Sequence, residues 1–432
     1  MENSSVVYRR LDCIYRHLLP ISYEPNNNNN NNSALHFANC LAGARDELFS
    51  KDVPVIIGGM VLDIHAKPST PPHPRTTTPG QVYYVAGGVA RNVAECMSKL
   101  GAKPFMISII GHDMAGNLLM EYWKSAGLST EGIEKRQDIG TPVVCNLFDT
   151  NGELTAAVAS VEAIEKYLTQ EWIQKFSCSI SSAPVLMIDA NLNPHSLEAS
   201  CKIAAESNIP VWFEPVSVTK SKRVASIASY ITFTSPNEDE LIAMANAMSP
   251  QDRFFPVQTS KGGSKQSIEG LFHMLKPAVL VLLEKGVKIV VVTLGADGVF
   301  ICTKDGPGFI KNHLRKTKPS ASGRRLFEMV IVNCPSNKFA CDNKFEWRKS
   351  QLYAVHFPSL PTPVVRLTGA GDCLVGGTVA SICAGLDVMQ SMAVGIAAAK
   401  AAIQVETNVP STYCLSTVAG METNFCQFHF SS

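Results

Sequence analysis

From residue 53 onward, short unbroken apolar runs alternate with longer stretches in which apolar side chains recur every third or fourth position. The runs at 53–57, 105–110, 185–188, 211–213, 231–234 and 287–293 are rich in Val, Ile and Phe and too short for helices, so they predict strands. The periodic stretches at 89–100, 115–126, 194–207 and 237–247 predict the helices between them. A strand with no polar alternation has to be covered on both faces. The order therefore predicts a three-layer α/β/α domain around a mostly parallel sheet. Ligands of such sheets bind beyond the carboxyl ends of the strands, so residues directly after each strand are where chemistry is sought first.

Two stretches interrupt the alternation. Residues 62–85 are rich in Pro and Thr, and within 141–159 the run Val143-Val144-Cys145-Asn146-Leu147-Phe148 meets the turn Asp149-Thr150-Asn151-Gly152. The second reads as a β-hairpin, and together the two predict a small β lid over the strand ends. Residues 306–350 carry Lys311, Arg315, Lys316, Lys318, Arg324 and Arg325 and read as an irregular surface insertion with a solvated basic face. The main domain is thus expected over 51–417, with 418–432 as a C-terminal tail.

Residues 1–50 have a different character. Seven consecutive asparagines, Asn26 to Asn32, cannot build a core and read as a disordered linker. Ahead of them Leu11, Ile14 and Leu18 fall at helical spacing beside Arg10 and His17, which predicts a short amphipathic helix. Arg10-Leu11, five intervening positions and His17-Leu18 resemble the N-terminal nonapeptide address for the peroxisome, which implies an import receptor as partner. Glu2 and Asp12 favour that reading over an Arg-rich mitochondrial presequence, which is acid-poor; mitochondrion and cytosol are the alternative locations.

Composition narrows the partners. With 46% hydrophobic and 17% charged residues the chain can bury a large core, and 38 Lys and Arg against 37 Asp and Glu leave no excess charge for nucleic acid or an anionic membrane. A small-molecule ligand is expected. The 13 cysteines contain no C-x-x-C pair and several, such as Cys383, sit in apolar runs, which predicts reduced core thiols and no zinc site. No apolar run reaches the length of a membrane span.

The densest chemical signal is Thr368-Gly369-Ala370-Gly371-Asp372, which follows the β-like run Val364-Val365-Arg366-Leu367 and leads into a helical segment. Small residues before a helix let backbone N–H groups close on an anion, and the helix N-terminus adds positive potential. Asp372 in that first turn is placed to accept a proton from a hydroxyl while Gly369, Ala370 and Gly371 stabilise a transferring phosphoryl group. A mere helix cap would not require three small residues before it or Gly376-Gly377 after it.

These residues resemble the pfkB, or ribokinase-like, family of carbohydrate and nucleoside kinases, whose C-terminal signature ends in G-A-G-D. Other elements of that pattern follow in order over about 53–416. Gly58-Gly59 with Asp63 is similar to the family's sugar-binding strand and carboxylate, and Ala86-Gly87-Gly88-Val89-Ala90-Arg91-Asn92 to its N-terminal signature, in which paired glycines and an Asn meet the sugar. Gly111-His112-Asp113 with Gly116 resembles the G-x-D-x-x-G turn. Asn237 and Glu240 resemble the N-x-x-E motif that organises Mg²⁺ and its waters, and a capping box is the alternative for the same spacing. Thr293, Gly295 and Gly298 resemble the nucleotide-binding turn, and Asn408 is a candidate for the adenine pocket. Arg366 departs from the pattern, because the family commonly has an acid there; the monovalent-cation role tied to that acid is not carried over. No G-x-x-x-x-G-K-[ST] or G-x-G-x-x-G motif competes.

The resemblance implies a ribokinase-like fold, ATP and Mg²⁺ as cofactors and a nucleoside acceptor; the sequence does not give the oligomeric state, and a homodimer through the lid is one arrangement open to it. Within the family, the segment 87–95, Asp189-Ala190-Asn191-Leu192 and Glu214-Pro215-Val216-Ser217 are most similar to plant members acting on pseudouridine, which implies phosphorylation of its 5′-hydroxyl. Asp189, Asn191 and Lys220 are added as candidate cleft residues, with capping as the alternative for each. A kinase for ribose or another nucleoside and a non-catalytic scaffold of the same fold are the competing functions.

Overall fold

The computed structural model describes residues 53–430 apart from 74, 153, 250, 252–253, 257–266, 313–319, 337–351 and 421–425. The targeting helix and the asparagine linker expected over 1–50 lie outside the described residues. Ten strands form one sheet. Its core comprises β1 (Val55–Ile57), β4 (Phe105–Gly111), β5 (Ile133–Arg136), β8 (Leu186–Asp189), β9 (Val211–Glu214), β10 (Phe233–Thr234) and β11 (Ile289–Thr293). The sheet is completed by β12 (Val299–Thr303), β13 (Leu352–Phe357) and β14 (Cys426–Phe430), in the order β14-β13-β12-β11-β10-β9-β8-β1-β4-β5. Neighbours from β5 to β11 run parallel, and β11 to β14 run antiparallel. The sheet is mostly parallel as expected, but its last edge is not.

The unbroken apolar runs are explained by two cores. Ile56, Met106, Met187 and Trp212 point to one face, while Val55, Ile57, Phe105, Ile107, Leu186, Ile188, Val211 and Phe213 point to the other. Alternate positions of each strand therefore enter different cores, and a polar residue such as Ser108 is held there by a hydrogen bond, its hydroxyl donating to the Gly58 carbonyl (2.6 Å). On the first face lie α1 (Val89–Lys99), α2 (Met114–Ser125), α6 (Arg324–Asn333), α7 (Ala370–Ala384) and α8 (Val388–Ala402). The second is covered by α3 (Pro194–Glu206), α4 (Glu238–Met248) and α5 (Ile268–Glu284).

A four-stranded sheet stands apart in the order β3-β2-β6-β7, with β2 (Val61–Pro68), β3 (Gly80–Gly87), β6 (Val143–Phe148) and β7 (Leu154–Ser160). The hairpin between β6 and β7 turns at Gly152, whose φ of 90° and N–H bond to the Asp149 carbonyl fit the turn. Asp113 ties this sheet to the domain. It caps α2 through Gly116 N (2.8 Å) and also accepts from Thr141 N (2.7 Å) and Thr141 Oγ1 (2.6 Å), just before β6.

Four expectations are corrected. The run 364–367 is not a strand, because the N–H groups of Val365 and Arg366 both donate to the Ile403 carbonyl at the end of α8. Within 306–350, α6 is ordered structure that buries Leu326 and Val330 in the first core, so only part of that basic stretch is surface. The tail supplies β14, paired with β13 from Leu352↔Phe430 to His356↔Cys426. Gly376 and Gly377 serve packing: a Cβ on Gly376 would stand 2.7 Å from Cys96 Cβ on α1, and one on Gly377 2.9 Å from Gly395 Cα on α8.

Candidate active site

The first-core helices deliver α7 to the carboxyl ends of the parallel strands. Gly369 is its N-cap at φ 85°, a left-handed conformation with no room for a side chain, since a Cβ would lie 2.2 Å from the Asn408 carbonyl oxygen. No side chain caps this helix, which leaves first-turn N–H groups for an incoming anion. A Cβ on Gly371 would meet nothing within 4 Å, so the loop is open on that side.

Asp372, in the first turn of α7, accepts from Asn92 Nδ2 at 2.6 Å. Burial raises its carboxyl to about 6; the Asn92 bond and the Arg91 charge oppose the rise, and the charges of Asp189 and Asp63 add to it. Asn92 is held in turn by Arg91, whose Nη2 donates to Asn92 Oδ1 and to the Ala86 carbonyl (2.8 Å), and whose Nε donates to the Gly87 carbonyl (2.9 Å). Arg91 is itself buried against Glu95, which also binds Lys99 and the Tyr122 hydroxyl. The sequence reading assigned no role to Arg91 or Glu95. Their spacing of four on a helix was the available signal.

Asp63 projects from β2 beside this cluster. Gly87 lacks a Cβ that would sit 2.3 Å from Asp63 Oδ2, so the second glycine-rich signature makes room for this carboxylate. Gly88, at φ 96°, packs its backbone on the Gly59 carbonyl, where a Cβ would come to 2.4 Å. Burial raises the Asp63 carboxyl, and Asn408, Arg366 and Arg91 each counter the rise.

Several candidates take other roles. Asp189 Oδ2 accepts from Gly59 N (2.9 Å) and Ala90 N (3.3 Å), and its Oδ1 from Asn191 N (2.9 Å), so this fully buried carboxylate clamps the first strand-end turn to α1. Asn191 Oδ1 accepts from Lys220 Nζ at 2.6 Å. Asn408 is bonded beside Asp63. Its Nδ2 donates to Asp63 Oδ2 (3.1 Å) and the Ala86 carbonyl (3.2 Å), because the chain after α8 passes between α7 and the lid.

A second cluster lies at β9 to β11. Asn237 and Glu240 form the capping box of α4, with Asn237 Oδ1 accepting from Glu240 N (2.9 Å) and Glu240 Oε2 from Asn237 N (3.0 Å). Those two oxygens are committed to the backbone rather than free as ligands. Asn237 also bridges to Thr293, whose turn continues through Gly295 (φ 54°, open to the cleft) and Gly298. Gly298 is structural, with a Cβ site 2.1 Å from the Phe357 carbonyl. Glu214 is buried at the end of β9 and bonded by the Ser235 hydroxyl, a role its sequence context does not signal. Its carboxyl is raised well above the usual range by burial and then by Asp372, Glu240 and Asp189. Among the described residues no group of three His, Cys, Asp or Glu could hold a metal unaided.

The arrangement offers a base and an amide-lined anion site at a helix start, with a carboxylate for hydroxyls on the neighbouring strand β2. The sequence model of the pfkB family carbohydrate kinases matches residues 53–319. The chain is 54% identical over 367 residues to pseudouridine kinase of Arabidopsis thaliana, covering 85% of this chain and 94% of that protein. Pseudouridine kinase of Escherichia coli is 25% identical, with 58% and 72% covered. The solved ribokinase of Arabidopsis thaliana, complexed with ribose and ATP, superposes with a TM-score of 0.61 at 16% identity, covering 86% of this chain and 99% of that one.

The Asp372 environment yields a direct check. A carbon-detected NMR titration of the Asp372 carboxyl should give a midpoint near about 6, and Asn92→Leu, which removes a bond favouring the anion, should move it upward. A midpoint near 4 that Asn92→Leu leaves unmoved would reject this account of the site.

Proposed function

Because this chain belongs to the pfkB family of carbohydrate kinases, we propose that it transfers the γ-phosphoryl group of ATP to the 5′-hydroxyl of pseudouridine. The observation that carries the reaction is the Asp372 carboxylate, raised toward neutrality at the uncapped start of α7 and oriented by Asn92. Support for the acceptor comes from the extent of identity to the Arabidopsis pseudouridine kinase.

In the proposed mechanism Asp63 accepts hydrogen bonds from two vicinal ribose hydroxyls, which turns the 5′-hydroxyl toward Asp372. The hydroxyl proton passes to a carboxylate oxygen of Asp372. The freed oxygen bonds to the γ-phosphorus as the bond from that phosphorus to the β-phosphate oxygen breaks, releasing ADP. N–H groups from Gly369 to Gly371 hold the charge that develops on the phosphoryl oxygens. The turn of Thr293 and Gly295 faces the nucleotide.

A Mg²⁺ ion would neutralise phosphate charge when bound with ATP. The residues present fit such an ion. Glu240 and Glu214 both have carboxyls raised by burial, and Glu240 adds to the rise at Glu214, so a cation held by them through water relieves mutual repulsion. We also place the protein in the peroxisome, on the Arg10-Leu11 and His17-Leu18 pairs.

Three experiments test these readings. Parallel turnover of pseudouridine, uridine, adenosine and ribose should favour pseudouridine, and Asp372→Asn should lower kcat by about 10²–10⁴-fold with pseudouridine binding retained. Preference for ribose would overturn the substrate, and near-normal turnover by the variant would overturn the base. A fluorescent protein fused to residues 1–50 should enter peroxisomes; a mitochondrial pattern would reject the address.

A further inference from the structure

Arg366 was notable in the sequence only as a departure from the family pattern, and the structure gives it two partners on opposite sides of the cleft. Its Nη1 donates to the Glu406 carbonyl at 2.9 Å, in the chain segment after α8. Its backbone N–H, with that of Val365, is fixed on the Ile403 carbonyl, so the run into the anion loop is anchored to the same segment. The other end of the guanidinium, Nη2, lies 3.1 Å from His65 Nε2 on β2 of the lid.

His65 is two residues past Asp63 and therefore on the same face of that strand. It is buried, 1% exposed, with its ring edge-on to Tyr83 of β3 at 5.5 Å and to Phe148 of β6 at 5.3 Å. The imidazole thus locks three lid strands together. Burial first, and the guanidinium second, push it down to about 4, so at neutral pH the ring is uncharged and Nε2 can accept from Arg366. The same guanidinium lies close enough to Asp63 to favour its ionised form.

We propose that Arg366 is a positioning residue that couples the lid carrying Asp63 to the loop carrying Asp372, by donating to His65 on one side while bound to the Glu406 carbonyl on the other. Seating an acceptor on Asp63 fixes β2, and β2 fixes Arg366 and with it the run into Thr368-Gly369-Ala370-Gly371-Asp372. A lysine cannot reproduce this, because its single ammonium lacks the planar fork that spans two acceptors.

The proposal rests on Asp63 holding the acceptor and Asp372 serving as base. Its test therefore uses whichever acceptor the wild-type enzyme turns over best, so that a wrong substrate assignment leaves it intact. The variants are Arg366→Met, which keeps length without donors, His65→Phe, which keeps a ring for the aromatic cage, and the two combined. Each single change should lower kcat/KM for the acceptor by about tenfold, and the double should be no worse than the weaker single. The KM for ATP should stay within about twofold, and His65→Gln, which restores an acceptor atom, should recover most of the loss. Losses that multiply in the double variant, or a His65→Gln enzyme as poor as His65→Phe, would overturn it. Should His65→Phe fail to fold, the comparison of Arg366→Met with Arg366→Lys decides: a lysine enzyme with wild-type acceptor kinetics contradicts the two-acceptor role.

Discussion

Asp63, Asp189, Glu214, Glu240 and Asp372 converge on one cleft, and keeping so many carboxylates together is the constraint that shapes the rest of the molecule. Burial raises all five, and their mutual repulsion raises Asp372 and Glu214 further. The cluster persists because each acid has its own compensation. Backbone N–H groups hold Asp189 and Glu240, the Ser235 hydroxyl holds Glu214, and Asn92 holds Asp372. Arg91 lowers both Asp63 and Asp372, Arg366 lowers Asp63, and Lys220 lowers Asp189. All five stay raised even so, Glu214 well above its usual range, and the one that sits at the uncapped start of α7 is Asp372, at about 6, which suits a general base.

The fold supplies this arrangement by bringing distant segments into close contact. Gly369 adopts its left-handed conformation against the Asn408 carbonyl because it lacks a Cβ, while α7 and α8 pack through Gly377 and Gly395, and α1 meets α7 at Gly376. The same contacts set Asn92 on α1 against Asp372 on α7, across 280 residues of sequence. Arg91 shows the economy of this design, since one buried guanidinium orients Asn92, binds the glycine-rich turn and is neutralised by Glu95. Such a charge is stable in the interior only when it is paired and hydrogen-bonded.

The parallel half of the sheet was legible in the sequence because strands covered on both faces read as unbroken apolar runs. The antiparallel edge was not. β12 is a short run directly after the Gly298 turn, β13 follows the polar stretch 335–351, and β14 is only five residues long. Local motifs such as the Asp372 loop and the Gly87-Gly88 pair were readable because glycine requirements are local. Roles set by long-range contact were not: Asn408 bonds Asp63 from 345 residues away, and Arg366 meets His65 from 301. The spacing of Asn237 and Glu240 fitted both a metal site and a capping box, and only coordinates reveal that two of their oxygens bind backbone.

The central claim is that a single ionising carboxylate, Asp372, controls phosphoryl transfer. The pH dependence of kcat/KM for the acceptor tests it most directly. A base with its carboxyl near about 6 must be ionised to act, so the rate should fall as pH drops through that value, and Asn92→Leu should move this limb to higher pH. A rate that stays level from pH 7 down to about 5, in both enzymes, would contradict the account.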